Sequence, residues 1–217
     1  MVNTQVKKTR LPRHERLKQV LATAKELFSQ KGFQFASMDE LAKRTGVSKP
    51  VIYDLFGSKQ DLFKTLMDFE LNELATRITT AVEKETDIQS RLSAGLKAFF
   101  SFVQENKNSW QAFIGATDYP LTQAVRQARQ RQADLVAELI EQSYSFPNHK
   151  IISDTIKAVA WAINGAVESL ANWWLDSQLF NLDELVELTL GIITPNLESL
   201  TKIVLKHIKE EDAKKNL

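Results

Sequence analysis

The sequence predicts an all-α protein of about nine helices, and three observations lead to this fold class. Apolar residues recur at three- and four-residue spacing along most of the chain, which is the period of an amphipathic helix. No segment alternates between apolar and polar residues convincingly enough to indicate a strand. Serine, glycine and proline divide the pattern at positions where they begin or end helices. The 217 residues suffice for one large or two small domains.

The first predicted helix spans about Arg13 to Gln30 and ends before Gly32. Its apolar positions form one continuous stripe, made of Leu17, Val20, Leu21, Ala24, Leu27 and Phe28. Such a stripe indicates a helix that packs one face against the rest of a domain.

Two short helices separated by a tight turn follow. Ser37 is a good N-cap residue, and the acidic residue three positions later completes a capping-box pattern. Gly46 can adopt the left-handed conformation that ends a helix. Ser48 is expected to cap the second short helix, Lys49 to Phe56, whose first turn tolerates Pro50.

This second short helix buries little of itself. Ile52 and Phe56 share one face and can pack on the body of the domain. The side chains expected to point outward are Lys49, Val51, Tyr53 and Asp54. A helix, a glycine-containing turn and a second short helix form the helix-turn-helix plan, in which the second helix enters the DNA major groove. We therefore interpret residues 37–56 as a helix-turn-helix.

The run from Leu17 to Phe63 resembles the N-terminal domain of the TetR/AcrR family of bacterial transcriptional regulators. The matching residues keep the family spacing without a gap: Ala24, Leu27, Phe28, Lys31, Gly32, Ser37, Leu41, Ala42, Gly46, Val47, Ser48, Ile52, Tyr53, Phe56, Ser58, Lys59, Leu62 and Phe63. The resemblance implies a DNA-binding domain at residues 14–74 and a ligand-binding and dimerisation domain at residues 75–210. It also implies a homodimer on a palindromic operator, and we expect a repressor controlled by a small apolar ligand.

Charge is unevenly distributed, although the net charge is only +1. Residues 1–67 carry 13 Lys and Arg against 6 Asp and Glu, whereas residues 68–217 carry 15 against 21. We call residues 1–67 the front of the chain and residues 68–217 the rear. The basic charge of the front and the acidic charge of the rear favour DNA contact by the front. Two interpretations stay open for residues 1–12, which form either a solvated tail or a basic arm that follows phosphates or enters the minor groove through Lys7, Lys8 and Arg10.

Phosphate contacts supply most of the affinity for DNA, and contacts with base edges supply specificity. We expect phosphate contacts from Ser37, Lys49, Tyr53 and Lys59, and base contacts from Lys49, Pro50, Val51 and Asp54. Val51 can meet a thymine methyl group, and Lys49 can reach guanine. Asp54 and Leu55 depart from the family pattern. Asp54 either accepts from cytosine N4 or forms a local ion pair with an arginine, and both alternatives stay open.

A helix predicted to start after Ser58, its cap, and to run to about Glu83 links the front to the remaining helical segments. These are predicted over about 88–105, around 110–114, and over 122–144, 151–177 and 183–209, with breaks at 118–120 and 145–148 and a kink at Pro195.

The segment from Ile151 to Trp174 is apolar on more than one face. A helix of this kind is usually buried on several sides, and a partner subunit is the expected second side. Gly165 and the nearby alanines permit close approach of another helix. The family resemblance implies that the last two long helices of each chain form a four-helix dimer interface.

The middle of the chain is rich in aromatic residues, most of which are expected to be ordinary core. The candidates for an apolar ligand pocket are Phe99, Phe102, Trp110, Phe113 and Trp161, with Asn164 and Glu168 as polar members. Asn164, Glu168 and Asn172 follow one another at four-residue spacing. They either orient a ligand or make polar contacts across the dimer, and these alternatives stay open.

A narrower resemblance concerns the ligand. The segments Leu92 to Val103 and Trp173 to Asp176, with Arg10 to Arg16 and Gly46 to Tyr53, are similar to regulators of fatty-acid synthesis that respond to long-chain acyl-CoA. This resemblance implies a long apolar channel. The alternative is a regulator of an efflux transporter that senses a drug-like or metabolite ligand.

A helical enzyme and a helical adaptor are the rival classes of function. The three histidines, His14, His149 and His207, are widely separated, and the chain has no cysteine and no phosphate-binding loop. We therefore expect no catalytic residue, no metal and no cofactor. No apolar run approaches the roughly 18 residues of a membrane span, and the N-terminus lacks the apolar core of a signal peptide. We expect a cytoplasmic protein.

Overall fold

The computed structural model describes residues 12–114, 119–143, 150–194 and Lys206. Within these ranges the chain forms nine α-helices and no strand, which confirms the predicted fold class. The helices are α1 Arg13–Phe35, α2 Met38–Thr45, α3 Lys49–Phe56, α4 Lys59–Val82, α5 Ile88–Glu105, α6 Lys107–Ile114, α7 Tyr119–Ser143, α8 Lys150–Ser177 and α9, which is described over residues 182–194. None of the helices searched is both long and apolar enough to span a bilayer.

The helix boundaries follow local capping chemistry. α5 has the predicted bounds, and α4 ends within one residue of its prediction. α1 runs regularly as far as Gly32, close to its predicted end. There a φ of 74° and a ψ of 163° kink the chain, and one further short turn continues to Phe35. Such a φ is easily adopted only by glycine.

The predictions for the later helices have two outcomes, since one of them can be compared with the structure and the others lie outside the described residues. α7 begins at Tyr119, three residues before its predicted start, so the predicted break at 118–120 is wrong for residues 119 and 120. Pro120 is tolerated there because it lies in the first helical turn. The predicted break at residues 145–148, the kink at Pro195 and the helical segment beyond it lie outside the described residues.

The front core is built mainly by α1 to α4. Its largest fully buried side chains include Leu27, Leu41, Ile52, Leu62 and Phe63. Residues of α6 and the start of α7 also join this core, namely Phe113, Ala124, Val125 and Ala128. A separate rear core lies among α4, α5, α7, α8 and α9. The long helix α4 therefore belongs to both cores, and α6 packs the rear helices onto the front.

Candidate DNA-binding surface and ligand cavity

The start of α2 is fixed by its cap and by α1. Ser37 Oγ accepts a hydrogen bond from the Glu40 backbone N–H at 3.1 Å, which confirms the N-cap. The Glu40 carboxylate accepts from Lys31 Nζ at 2.6 Å and from Arg44 at 2.7 Å. These two hydrogen bonds lower the pKa of Glu40 below its ordinary value.

The turn between α2 and α3 sets the angle of the helix-turn-helix. Gly46 has a φ of 67° and a ψ of 14°, the left-handed conformation that the sequence predicts. The Thr45 hydroxyl donates to the Leu41 carbonyl oxygen at 2.8 Å and accepts from the Val47 N–H at 3.2 Å. Gln19 Nε2 of α1 donates to the Thr45 carbonyl oxygen at 3.0 Å. The turn is therefore tied to both its own helix and α1.

One face of α3 is buried and the other faces outward. Ile52 is fully buried and Phe56 nearly so, as predicted, and Leu55 packs partly against the same core. Tyr53 is 41% exposed, and Asp54 is also exposed. Pro50 is exposed as well, whereas Lys49 and Val51 are half-buried. Ser48 occupies the N-cap position, but its side chain makes no capping hydrogen bond, so that part of the prediction is wrong.

Lys49 at the start of α3 already has an acidic partner. Its Nζ donates to the Asp39 carboxylate in the first turn of α2 at 2.9 Å, and this hydrogen bond raises the pKa of Lys49 above its ordinary value. Asp54 makes no ion pair with any residue in the described part of the chain. The local arginine pair considered for Asp54 is therefore not seen there.

Lys59 begins α4 beside the end of α1. Its Nζ donates to the Gln34 carbonyl oxygen at 3.2 Å and lies 4.4 Å from the centre of the Phe33 ring. The Ser58 Oγ accepts from the Asp61 N–H at 3.0 Å and caps this helix. Lys59 is therefore positioned by three elements, α1, α4 and the cap between α3 and α4.

The rear domain contains a predominantly apolar cavity of about 160 Å³. Its walls come from α4, α5, α7, α8 and α9, and include Leu74, Ile78, Leu92, Phe99, Leu135, Leu139, Ile163, Val167, Leu190 and Ile193. The polar members of the lining are Asn72, Arg91, Arg131, Gln132 and Asn164. An apolar cavity with a few polar groups is the usual form of a small-molecule site.

The predicted pocket residues divide into three groups. Phe99 and Asn164 line the large cavity. Phe102, Trp110, Phe113 and Glu168 line a smaller cavity of about 30 Å³ nearer the front. Trp161 lines neither cavity and is 38% exposed on the outer side of α8.

The three polar candidates that follow one another at four-residue spacing on α8 all point into the protomer. Asn164 is buried at the cavity wall. The Glu168 carboxylate accepts two hydrogen bonds from the Arg129 guanidinium, at 2.9 and 2.5 Å, and this pair raises the pKa of Arg129. Asn172 Oδ1 accepts from Trp110 Nε1 at 2.9 Å. These contacts place the three residues in intramolecular roles rather than on the exposed outer face of α8.

Sequence reasoning missed the contributions of α4 and α7 to the cavity, and it missed Arg91. The apolar stripes of α4 and α7 do not say which face meets a cavity. Arg91 did leave a signal, because it lies between Ile88 and Leu92 on the apolar side of α5, where a charge is unexpected.

A polar cluster joins the front of the molecule to the rear. Lys25 Nζ of α1 donates to the Glu70 carboxylate of α4 at 2.5 Å and to Asn106 Oδ1 at 2.7 Å. Glu70 is almost fully buried. Phe113 of α6 also packs edge-on against Phe63 of α4, with ring centres 5.4 Å apart. Through these contacts, a movement of α4 or α6 would also displace the front domain.

The outer faces of α8 and α9 are apolar and exposed. The large side chains on them are Trp161, Trp173, Leu188 and Ile192, which are 38% to 50% exposed. Between them lie exposed small residues of α8 and α9, namely Ala158, Ala162, Gly165, Ala166 and Gly191. No atom within 4 Å would meet a Cβ built at Gly165 or Gly191. A second helix pair could therefore approach this face closely.

Comparison with known proteins identifies the family. Residues 20–66 match the family model of bacterial regulatory proteins, tetR family, and residues 88–194 match that of the tetracyclin repressor-like C-terminal domain. The HTH-type transcriptional activator FasR of Mycolicibacterium smegmatis is 31% identical over 171 residues, which cover 77% of this chain and 76% of FasR. The chain belongs to the TetR family. It is thus a DNA-binding transcriptional regulator and not an enzyme.

Solved structures of TetR-type regulators share the architecture. A TetR-like regulator from Rhodococcus sp. RHA1 has a TM-score of 0.68 and 27% identity, with 87% of this chain and 99% of that chain covered. FadR from Bacillus subtilis, solved in complex with stearoyl-CoA, also has a TM-score of 0.68, at 16% identity and with 81% and 96% covered. At 16% identity the likeness to FadR shows a shared fold only.

Proposed function

We propose that this TetR-family regulator is a cytoplasmic homodimer that binds a palindromic operator and changes its DNA occupancy when a long-chain acyl ligand enters the large cavity. The main observation behind this proposal is that α4 contributes both to the DNA-binding surface and to the ligand cavity. Its start, at Lys59, adjoins the helix-turn-helix, and its second half, from Leu71 to Val82, lines the cavity. A ligand that displaces the second half of α4 therefore shifts the front domain.

The DNA-binding end of the proposal rests on α3. This helix exposes Pro50, Tyr53 and Asp54 and keeps Lys49 and Val51 at the edge of the same surface. One helix-turn-helix of this kind reads only a few base pairs, whereas two of them in successive major grooves, about 34 Å apart, read an inverted repeat. The exposed apolar face of α8 and α9 supplies the surface through which two chains would pair.

The cavity supports a lipid-like effector. A wall that is predominantly apolar suits an acyl chain, and FadR, which shares this fold, was solved with stearoyl-CoA. The similarity to FasR supports the narrower resemblance of the central segment to regulators of fatty-acid synthesis. The volume of about 160 Å³ is smaller than the roughly 300–1,000 Å³ of typical ligand pockets. A long chain would therefore enter by moving the cavity helices apart.

This expansion gives the ligand different affinities for two conformations, which is the requirement for a population shift. In the expanded conformation α4 moves, and the distance between the two helix-turn-helix motifs of the dimer no longer matches the operator. We propose repression as the default sign of control. Activation is the second candidate, because the relative FasR is named a transcriptional activator.

Two substitutions in the front domain test the proposed DNA contacts. Lys59→Ala is expected to weaken binding to all duplexes alike and to reduce the slope of log affinity against log salt by about 1, because a phosphate contact is lost. Val51→Ala is expected to change the preference at one base position, because an apolar contact in the groove is lost. Binding titrations on the operator and on single-base variants measure both. Sequence-independent losses from both variants would contradict the assigned roles.

A third substitution concerns the acidic partner of Lys49. Asp39→Asn is expected to tighten DNA binding and to steepen the salt slope by about 1, because Lys49 becomes free to contact a phosphate. The control is Asp39→Asn combined with Lys49→Ala, in which most of this gain should disappear. An equal gain with and without Lys49 would show that the Asp39 charge acts on DNA directly.

A further inference from the structure

The two arginines that line the large cavity differ in their partners. Arg131 donates a hydrogen bond to the Asp68 carboxylate at 2.5 Å, so its charge is compensated within the protein. Arg91 has no ion-pair partner among the described residues, and its Nε lies buried without a hydrogen-bond acceptor. It is the only side-chain nitrogen or oxygen in the described part of the chain that is buried and unsatisfied in this way.

The acid nearest to Arg91 along α5 is occupied elsewhere. Asp87, one turn earlier, accepts a hydrogen bond from the Ser90 N–H at 2.9 Å and caps the helix. Hydrogen bonds from Ser90, mainly from its side chain and also from its backbone N–H, lower the pKa of Asp87. The other residues of α5 at the cavity wall beside Arg91 are apolar or lack a side chain, namely Ile88, Leu92, Gly95 and Leu96. No described residue therefore compensates the guanidinium.

A buried charged donor without an acceptor is costly, and a native protein tolerates it where a function needs it. Arg91 is half-buried as a residue, so its guanidinium lies between the cavity and the surface. A ligand whose tail fills the apolar cavity would bring its head group to this border.

We propose that the Arg91 guanidinium binds the anionic head group of the effector. This inference rests on the proposed function and narrows the ligand to an amphipathic anion with one acyl chain. A carboxylate and a phosphate both accept the paired N–H donors of a guanidinium. A free fatty acid and the phosphates of an acyl-CoA thus share the chemistry that Arg91 recognises.

The test compares Arg91→Met with the matched control Arg126→Met, which changes an exposed arginine of α7 that lines neither cavity. Affinities of the full-length wild type and of both variants are measured for palmitate, palmitoyl-CoA and hexadecanol. Arg91→Met is expected to weaken at least one of the two anions tenfold or more and to leave hexadecanol within twofold. Arg126→Met should change all three affinities by less than twofold, because Arg126 lies outside both cavities. The anion that loses more identifies the source of the head group.

Thermal unfolding without ligand supplies a second readout. Arg91→Met should be at least as stable as the wild type, because the substitution removes an unsatisfied donor. A lower Tm would indicate a structural role and would overturn the proposal. Equal losses for hexadecanol and the anions, or no loss for either anion, would also overturn it while leaving a lipid effector in place. If the wild type binds none of the three ligands, the acyl effector itself is wrong and the role of Arg91 falls with it.

Discussion

Replacing Gly165 with arginine is expected to convert the protein from a dimer to a monomer and to lower its operator affinity by about 30-fold or more. Gly165 lies near the middle of α8 on the exposed face, among alanines and between Trp161 and Trp173. An arginine there would hold a second α8 at a distance and bury a charge in an apolar interface. Central interface positions typically contribute about 2 kcal/mol or more, which corresponds to this change.

The protomer itself should tolerate this substitution. No atom lies within 4 Å of a Cβ built at Gly165, and arginine has a higher helix propensity than glycine by up to about 1 kcal/mol. A loss of dimer without a loss of helical signal is therefore the expected result. Sedimentation measures the oligomeric state, and operator titration measures the affinity.

The control for Gly165→Arg is Thr80→Arg, which adds the same charge at an exposed position of α4 outside this face. Thr80→Arg should remain a dimer with unchanged operator affinity. Persistence of the Gly165→Arg dimer would show that the two chains pair through another surface.

Replacing Lys25 with methionine is expected to destabilise the protein by about 3 kcal/mol, because it leaves the buried Glu70 carboxylate without its cation. For a chain of this size the loss corresponds to roughly 10 °C in Tm. The substitution also removes the hydrogen bond between Lys25 and Asn106, which joins α1 to the junction of α5 and α6. Thermal and urea unfolding measure the change.

Two further variants make this prediction specific. Glu70→Gln in the Lys25→Met background should recover much of the stability, because a neutral amide is less costly to bury than an unpaired carboxylate. Lys97→Met removes the exposed ion pair with Asp183 and should cost less than about 1 kcal/mol. Equal losses for Lys25→Met and Lys97→Met would mean that the polar cluster at Glu70 does not stabilise the joint between front and rear.

The helices of the front domain were predictable because the residues that begin and end them act locally. Ser37 and Ser58 accept the backbone hydrogen bonds expected of N-caps, and Gly46 has the left-handed conformation that its position requires. The packing of Ile52 and Phe56 follows from their four-residue spacing alone. The partner of Lys49 could not be read in this way, since the contact with Asp39 depends on the angle between two helices.

The rear domain was predictable as a helical array but not as a site. Its aromatic residues are mostly core, as the edge-on packing of Phe99 on Phe100 and on Trp110 shows. The cavity depends on which faces of α4 and α7 meet α5 and α8, and helical periodicity gives a stripe without naming its partner. Trp161 illustrates the same limit, because an apolar residue suits a cavity and a dimer face equally well.

Selection of genomic DNA fragments by the purified protein at physiological salt, with and without palmitoyl-CoA, tests the central claim most directly. We expect an inverted repeat whose halves lie about one helical turn or a multiple apart, with occupancy that changes when palmitoyl-CoA is added. Flanking genes of lipid metabolism would agree with an acyl effector, whereas transporter genes would favour a drug-like or metabolite ligand. Recovery of no specific sequence under either condition would contradict a dimeric, ligand-controlled reader of a palindromic operator.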